Sequence, residues 1–380
     1  MTVTVAIDSF KESLSSVMAG NAVKDAILKC DPLTTVFVRP LADGGEGTCD
    51  TLCEGLGGEL VKLKVAGPLG DEVEAQYAVL NDKNTAVMEM ASAAGIMLVP
   101  SDKRNPLNTT TFGVGEMIAD AVTRGCRRFI IGIGGSATND GGTGMLSALG
   151  FKFLDDFGQE IPLGAKGLES LRTIDCGGVM PELAECEFNV ACDVDNPLLG
   201  PSGCSAVFGP QKGATPEMIS DMDLWLERFA KISSTVSSKA DALFPGVGAA
   251  GGLGFAFRCF LNAELRSGVD LVLKETALEE YIKISDIVVT GEGRLDSQTV
   301  MGKAPVGVAK LAKKYNKKVI AFSGCVTDDA EALNQHGIDA FFPILRNVVS
   351  LDEALNTDNA YKNLKSTAYQ VFRLLFDVKG

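Results

Sequence analysis

Several glycine-rich segments of this chain gather carboxylates, hydroxyls and cations. Asp8-Ser9-Phe10-Lys11 follows the first apolar run, and Ala42-Asp43-Gly44-Gly45-Glu46-Gly47-Thr48 follows the second. Two carboxylates in such a loop, Asp43 and Glu46, suit magnesium or a proton acceptor. Lys11 is placed to meet a carboxylate or a phosphate. Residues 290–299 (TGEGRLDSQT) read as a loop after a strand at 286–290, with Glu292, Arg294 and Asp296 alternating along it before Gly302-Lys303. Arginine there can grip a carboxylate through two parallel hydrogen bonds. Asp193 and Asp195 add two acids after the run FNVAC, in a segment that extends to Phe208-Gly209-Pro210-Gln211-Lys212-Gly213.

The densest signal is 132–144, GIGGSATNDGGTG, between the strand-like RRFII and the helix-like MLSALG. Six glycines in thirteen residues let backbone approach a ligand and adopt positive φ. The hydroxyls of Ser136, Thr138 and Thr143, with the N–H groups of the next helix start, suit phosphate oxygens. The spacing matches neither the dinucleotide fingerprint nor the P-loop. Plainer readings stand beside these: a tight strand–helix turn at 132–144, Asp43 as a helix cap, Lys11 as a solvated lysine, an internally paired loop at 290–299. Gly248 to Gly254 reads most simply as a helix start that needs close packing.

Composition narrows the chemistry. The chain has 380 residues, 42 of them glycine, with 46% apolar and 22% charged side chains, enough for a packed core. Forty-nine acids against 35 bases give a net charge of −14, which argues against nucleic acid as a partner. The single histidine, His336, stands before Gly337 at a helix end, where it complements terminal carbonyls. Imidazole-based triads and histidine-rich metal sites are thereby disfavoured. Ten cysteines include no C-x-x-C pair and read as reduced thiols, Cys49 and Cys53 as packing residues. Neither a secretory leader nor an apolar run of membrane-spanning length is legible, so a cytoplasmic protein without a membrane partner is expected.

The elements that must hold these loops alternate. Strand-like runs fall at 3–7, 35–38, 60–65, 75–80, 85–90, 129–133, 188–192, 286–290, 317–322 and 340–344. Amphipathic helices fall between several of them, among them 16–29, 114–124 and 306–314. Asn81-Asp82-Lys83-Asn84 marks a hairpin between two middle strands. The expected fold class is α/β: a Rossmann-like doubly wound domain formed by both chain ends (1–67 plus 285–380), with a second α/β domain (68–284) inserted.

With no histidine among the clustered groups, the inventory fits phosphoryl transfer, where positioning and charge neutralisation do most of the work. Here the chain resembles the type I glycerate kinases. The shared stretches are DSFKESLSS from Asp8, ADGGEGT from Ala42, GIGGSATNDGGTGM from Gly132, DVDNPLLGPSG and FGPQKGA after Asp193, GAAGGLG from Gly248 and TGEGRLDSQTVMGKAPVGVA from Thr290. They run from one end of the chain to the other. The resemblance implies ATP-dependent phosphorylation of D-glycerate with magnesium, most simply at the 2-hydroxyl. A 3-kinase, a kinase of a related hydroxy acid, and a non-catalytic nucleotide-binding regulator are the alternatives.

On that reading Lys11, Asp43, Asp193 and Arg294 are the catalytic candidates. Asp8, Ser9, Lys11, Glu292, Arg294 and Asp296 bind substrate, with Lys11 and Arg294 on the glycerate carboxylate or the transferring phosphoryl group. Asp43 or Asp193 accepts the hydroxyl proton or, with Glu46, holds magnesium. Gly134, Gly135, Ser136, Thr138, Asn139, Asp140, Gly141 and Gly142 cradle the nucleotide phosphates. A homodimer is left open.

Overall fold

The computed structural model describes residues 1–377, and these divide into two compact units, each built on its own sheet. The first unit comprises Met1–Asp43, Glu54–Leu56 and the chain from Val269 onward. The second comprises Gly44–Cys53 and Gly57–Gly268.

The sheet of the first unit has five strands, Thr2–Val5, Thr35–Val38, Ile287–Leu295, Lys318–Val326 and Ala340–Pro343. All neighbours run parallel. Numbered along the chain within this sheet, the spatial order is 2-1-3-4-5. That is the five-strand doubly wound order, not the six-strand 3-2-1-4-5-6 order of dinucleotide-binding domains. The three central strands are buried on both faces, as a parallel sheet requires, while the edge strands Thr35–Val38 and Ala340–Pro343 are partly exposed. On one face Val3, Val5, Ile287, Val289 and Phe322 pack with Val23 and Ile27 of helix Ser16–Cys30 and with Leu364 and Phe372 of helix Thr357–Asp377. Toward the other, Val288, Val319 and Ala321 are buried, and helix Ala304–Lys314 packs on their strands.

Local chemistry explains where these elements start and turn. Ser15 accepts the Met18 N–H as an N-cap. Buried Ser16 donates to the Ile7 carbonyl at 2.6 Å and accepts from Leu41 N–H at 2.9 Å, joining the carboxyl ends of the first two strands. The expected loop at 290–299 is half strand, because Ile287–Leu295 keeps pairing with Lys318–Val326 as far as Leu295 opposite Val326. Gly291 permits this: a Cβ there would lie 2.0 Å from the Phe322 carbonyl oxygen.

The second unit carries a mixed six-stranded sheet. Glu264–Arg266, Glu187–Ala191, Arg128–Gly132 and Thr85–Glu89 are parallel neighbours, followed by antiparallel Glu72–Leu80 and Gly58–Ala66. Strand Gly58–Ala66 pairs along its whole length with Glu72–Leu80. The hairpin therefore assigns it here and not to the 1–67 segment of the expected terminal domain. Conversely, helix Leu278–Ile284 belongs to the first unit, outside the expected 285 boundary. A short hairpin, Lys152–Leu154 with Thr173–Asp175, completes the strands. The core is aromatic, with Phe129 and Phe188 stacked at 4.8 Å and Phe229, Phe255 and Phe257 fully buried. Among the described residues no helix is long and apolar enough to cross a membrane.

The run from Gly248 is a helix entry shaped by close packing. Ala250, Gly251 and Gly252 are left-handed, and the Gly251 carbonyl accepts from Gly141 N–H at 2.9 Å. A Cβ on Gly251 would stand 2.1 Å from the Thr138 carbonyl oxygen at a φ of +66°. Gly251→Val is expected to cost about 3 kcal/mol through overpacking and backbone strain. Urea denaturation checks it, with a shifted midpoint and an unchanged slope as the expected result.

Candidate active site

In the first unit the functional side chains collect at the carboxyl ends of the parallel strands. Asp8 follows strand Thr2–Val5, and its N–H donates to the Gly291 carbonyl at 2.9 Å. It also bridges Leu41 beyond the second strand. Strand order reverses between Thr2–Val5 and Ile287–Leu295, the topological position where open α/β sheets bind ligands. A cavity of about 390 Å³ opens there. Its polar lining holds three cations, Lys11, Arg294 and Lys303, and three carboxylates, Asp8, Asp43 and Glu292, with Ser9 and Ser13. Ile344, Leu345 and Leu351 supply an apolar wall.

Each charged group there has an identifiable setting. Asp8 is buried, and its Oδ1 accepts from Ser9 N–H at 2.6 Å. Burial, reinforced by the Asp43 charge, pushes its carboxyl up to about 7. Glu292 is also buried and raised by burial; Thr299 Oγ1 donates to it at 2.6 Å and Lys303 Nζ stands 3.8 Å away. Arg294 is largely exposed, its Nε 3.3 Å from Asp296 Oδ2. Such an exposed pair is worth little, so the guanidinium can exchange this partner for a ligand carboxylate. Buried Ser13 Oγ has no hydrogen-bond partner among the described residues, and a polar ligand would satisfy it.

The second unit has its own cavity, of about 340 Å³, lined by Gly44, Gly45, Gly134, Gly135, Ser136, Asp193 and Lys212 together with apolar side chains. Asp193 Oδ1 accepts from Gly268 N–H at 2.9 Å. Glu89, at the end of its strand, accepts from the N–H groups of Cys49 and Gly47 and so fixes the loop that begins at Gly44.

The structure divides the 132–144 loop in two. Gly134, Gly135 and Ser136 face the cavity, whereas Thr138, Asn139 and Asp140 are fully buried, and Gly141 and Gly142 pack against Phe229 and Ala256. Asp140 works from beneath: it accepts from Thr111 N–H and Oγ1 at 2.8 Å each, from Gly142 N–H at 3.1 Å and from Gly144 N–H at 3.3 Å. Burial raises its carboxyl and these hydrogen bonds oppose the rise. These five positions, expected to contact nucleotide phosphates, shape the loop, because a buried carboxylate satisfies its free N–H groups from the interior.

The other expected residues sort as follows. Asp8, Ser9, Lys11, Asp43, Glu292 and Arg294 come together in the first cavity. Asp296 does not join them: it caps the turn Ser297–Met301, accepting from Gln298 N–H at 3.0 Å. Glu46 is exposed and lines neither cavity. Among the described residues no three Asp, Glu, Cys or His side chains are grouped to hold a metal, so Asp43, Glu46 and Asp193 form no ready-made cage. Magnesium in phosphoryl-transfer sites takes one or two carboxylates plus phosphate oxygens, a donor set to which either Asp43 in the first cavity or Asp193 in the second could contribute its carboxylate. Sequence reasoning missed Ser13, Lys303, Lys212 and Glu89 as site residues. The first three stand inside motifs read above, and Glu89 is a carboxylate ending an apolar strand, a signal that could have found it.

Comparison with known proteins follows the same lines. The model of the glycerate kinase family matches residues 3–376. A protein of Halalkalibacterium halodurans named glycerate kinase is 48% identical over 93% of this chain and 93% of its own. One of Escherichia coli named glycerate 2-kinase is 46% identical over 96% of this chain and 95% of its own. The chain belongs to the glycerate kinase family. A crystal structure of a family protein from Salmonella typhimurium LT2, assigned as a glycerate kinase 2, superposes with a TM-score of 0.92 at 44% identity, covering 100% of this chain and 99% of that one.

The raised Asp8 carboxyl links stability to pH. Between its ordinary value of 3.8 and about 7 the folded state holds a proton that the unfolded state has lost, so stability falls as pH rises through this window. The loss amounts to at most about 4 kcal/mol, at 1.36 kcal/mol per unit. Urea titrations at pH 5 and pH 8 span about two of those units and are expected to show a drop of about 2.7 kcal/mol in the unmodified protein and a much smaller one in Asp8→Asn.

Proposed function

We propose that this protein is a kinase that transfers the γ-phosphoryl group of ATP to the 2-hydroxyl of D-glycerate, giving 2-phospho-D-glycerate and ADP. The observation that carries the reading is the family match across nearly the whole chain, with a relative at 46% identity named glycerate 2-kinase. The geometry supports it with a cation-rich cavity in the first unit and a glycine-walled cavity in the second.

In this reading the first cavity holds glycerate. Arg294 and Lys11 neutralise its carboxylate, and Ser13 Oγ and Glu292 hydrogen-bond its hydroxyls. Asp8 or Asp43 takes the hydroxyl proton; burial, reinforced by the Asp43 charge, lifts the Asp8 carboxyl to about 7, where a general base is most effective. The 2-hydroxyl oxygen forms the new bond to the γ-phosphorus as the bond to the β–γ bridging oxygen breaks. Gly134, Gly135 and Ser136 present backbone N–H and hydroxyl groups to the nucleotide phosphates. Asp193, or Asp43, would hold magnesium, which when bound neutralises charge on the phosphate oxygens.

Incubation with D-glycerate, ATP and magnesium, followed by phosphorus NMR, is expected to give the 2-phosphate signal. Appearance of the 3-phosphate overturns the regiochemistry, and phosphorylation of another hydroxy acid with glycerate ignored overturns the substrate. Asp43→Asn is expected to lower kcat by about 10²–10⁴-fold, the range for loss of a general base. Arg294→Ala is expected to raise the KM for glycerate with a smaller effect on the KM for ATP. Full turnover in either variant removes that residue from the mechanism.

A further inference from the structure

We propose that Lys212 binds a phosphate of the nucleotide from the floor of the second unit's cavity. The inference deepens the reading above and rests on its assignment of Gly134, Gly135 and Ser136 to the nucleotide.

Lys212 closes the short turn Pro210–Lys212, and Gly213 after it is left-handed, with its Cα hard against the Arg104 carbonyl; a Cβ there would lie 2.2 Å from that oxygen. The backbone thus enters the interior at a fixed point, and the lysine is 2% exposed. Its Nζ donates to Ser136 Oγ at 2.8 Å and to the Thr138 carbonyl at 2.6 Å, which uses two of its three protons. Among the described residues no carboxylate pairs with it directly. Asp140, on the loop above, and Cys204, on helix Cys204–Phe208, are the titratable groups that influence it through space.

Burying an ammonium without a counter-ion is unfavourable in a low-dielectric interior. Among the described residues that line this cavity Lys212 is the one cation and Asp193 the one carboxylate, beside glycine backbone and apolar side chains that include Ile96, Ile133 and Phe208. An anionic oxygen seated against Gly134 and Gly135 would accept a hydrogen bond from the third Nζ N–H and supply the missing charge. A three-carbon acid would leave the apolar wall bare, whereas a nucleotide can cover it. That selects a nucleotide phosphate over the glycerate carboxylate.

Burial holds the Lys212 ammonium down at about 8, with Cys204 and Asp140 opposing the fall. The cation is present below that pH and is lost above it, so nucleotide affinity should follow. The experiment is titration calorimetry of ATP with magnesium from pH 7 to 9.5, together with steady-state KM values for ATP and D-glycerate. The unmodified protein is expected to lose ATP affinity about tenfold per pH unit above 8. Lys212→Arg, which stays charged, is expected to flatten that slope. Lys212→Met is expected to raise the Kd and KM for ATP at least tenfold at pH 7, with no alkaline slope and little change in the KM for glycerate. If the methionine variant does not fold, the pH series on the unmodified protein and on Lys212→Arg still decides. Unchanged ATP affinity in Lys212→Met, an effect confined to the glycerate KM, a pH-independent Kd in the unmodified protein, or no ATP binding at all would each overturn the proposal. An unmodified protein that binds ATP with the expected slope yet leaves glycerate untouched overturns the catalytic reading and leaves Lys212 in place.

Discussion

The second unit depends on one buried carboxylate. Asp140 collects four donors from two segments, Thr111 on one side and Gly142 and Gly144 on the other, and Thr111 Oγ1 in turn accepts from Met145 N–H at 2.9 Å. A tight turn of glycines has backbone N–H groups that no helix or strand can satisfy, and burying them unpaired would be costly. Meeting them from inside leaves the outer edge of the loop, Gly134 to Ser136, with its polar groups toward the cavity. The left-handed run at Ala250 to Gly252 then packs against the same turn, and only residues without large side chains fit there. Glycine in this unit therefore serves contact between backbones at least as much as contact with a ligand.

The first unit solves a different problem. Its parallel sheet ends several strands at one edge, and the chain places charged residues at each of those ends. Asp8, Asp43 and Glu292 would repel one another if all were ionised, and burial of Asp8 and Glu292 adds to that cost. Lys11, Arg294 and Lys303 moderate the repulsion without forming tight pairs: the Glu292–Lys303 contact is long, and Arg294 is exposed. The outcome is a loosely compensated set of charges at a position where the fold already leaves a crevice. A ligand that brings a carboxylate and hydroxyl groups, as proposed above, would complete that compensation.

Much of this was legible in the chain. All ten strand-like runs are strands, because short apolar runs bounded by turns have little alternative, and the helices expected at 16–29, 114–124 and 306–314 form as Ser16–Cys30, Phe112–Thr123 and Ala304–Lys314. Less legible was the reach of Ile287–Leu295: Gly291 looks like a loop residue, yet its lack of a Cβ is what lets that strand lie close against its neighbour. Strand Gly58–Ala66 could be assigned to its sheet only by its partner, since an alternating segment next to a domain boundary pairs equally well in principle with either side.

The sequence by itself determined the family, the α/β class, and the motifs in which the cavity residues lie, because those depend on local residue types and their order. Tertiary structure alone decided which members of a motif face a cavity and which face the interior. Ser136 and Asp140 are four residues apart in one motif, but one lines a cavity and the other is sealed beneath it. Lys212, far from both in sequence, reaches the same place. That sorting follows from packing against Phe229, Ala256 and the Thr138 carbonyl, contacts that spacing along a chain does not encode.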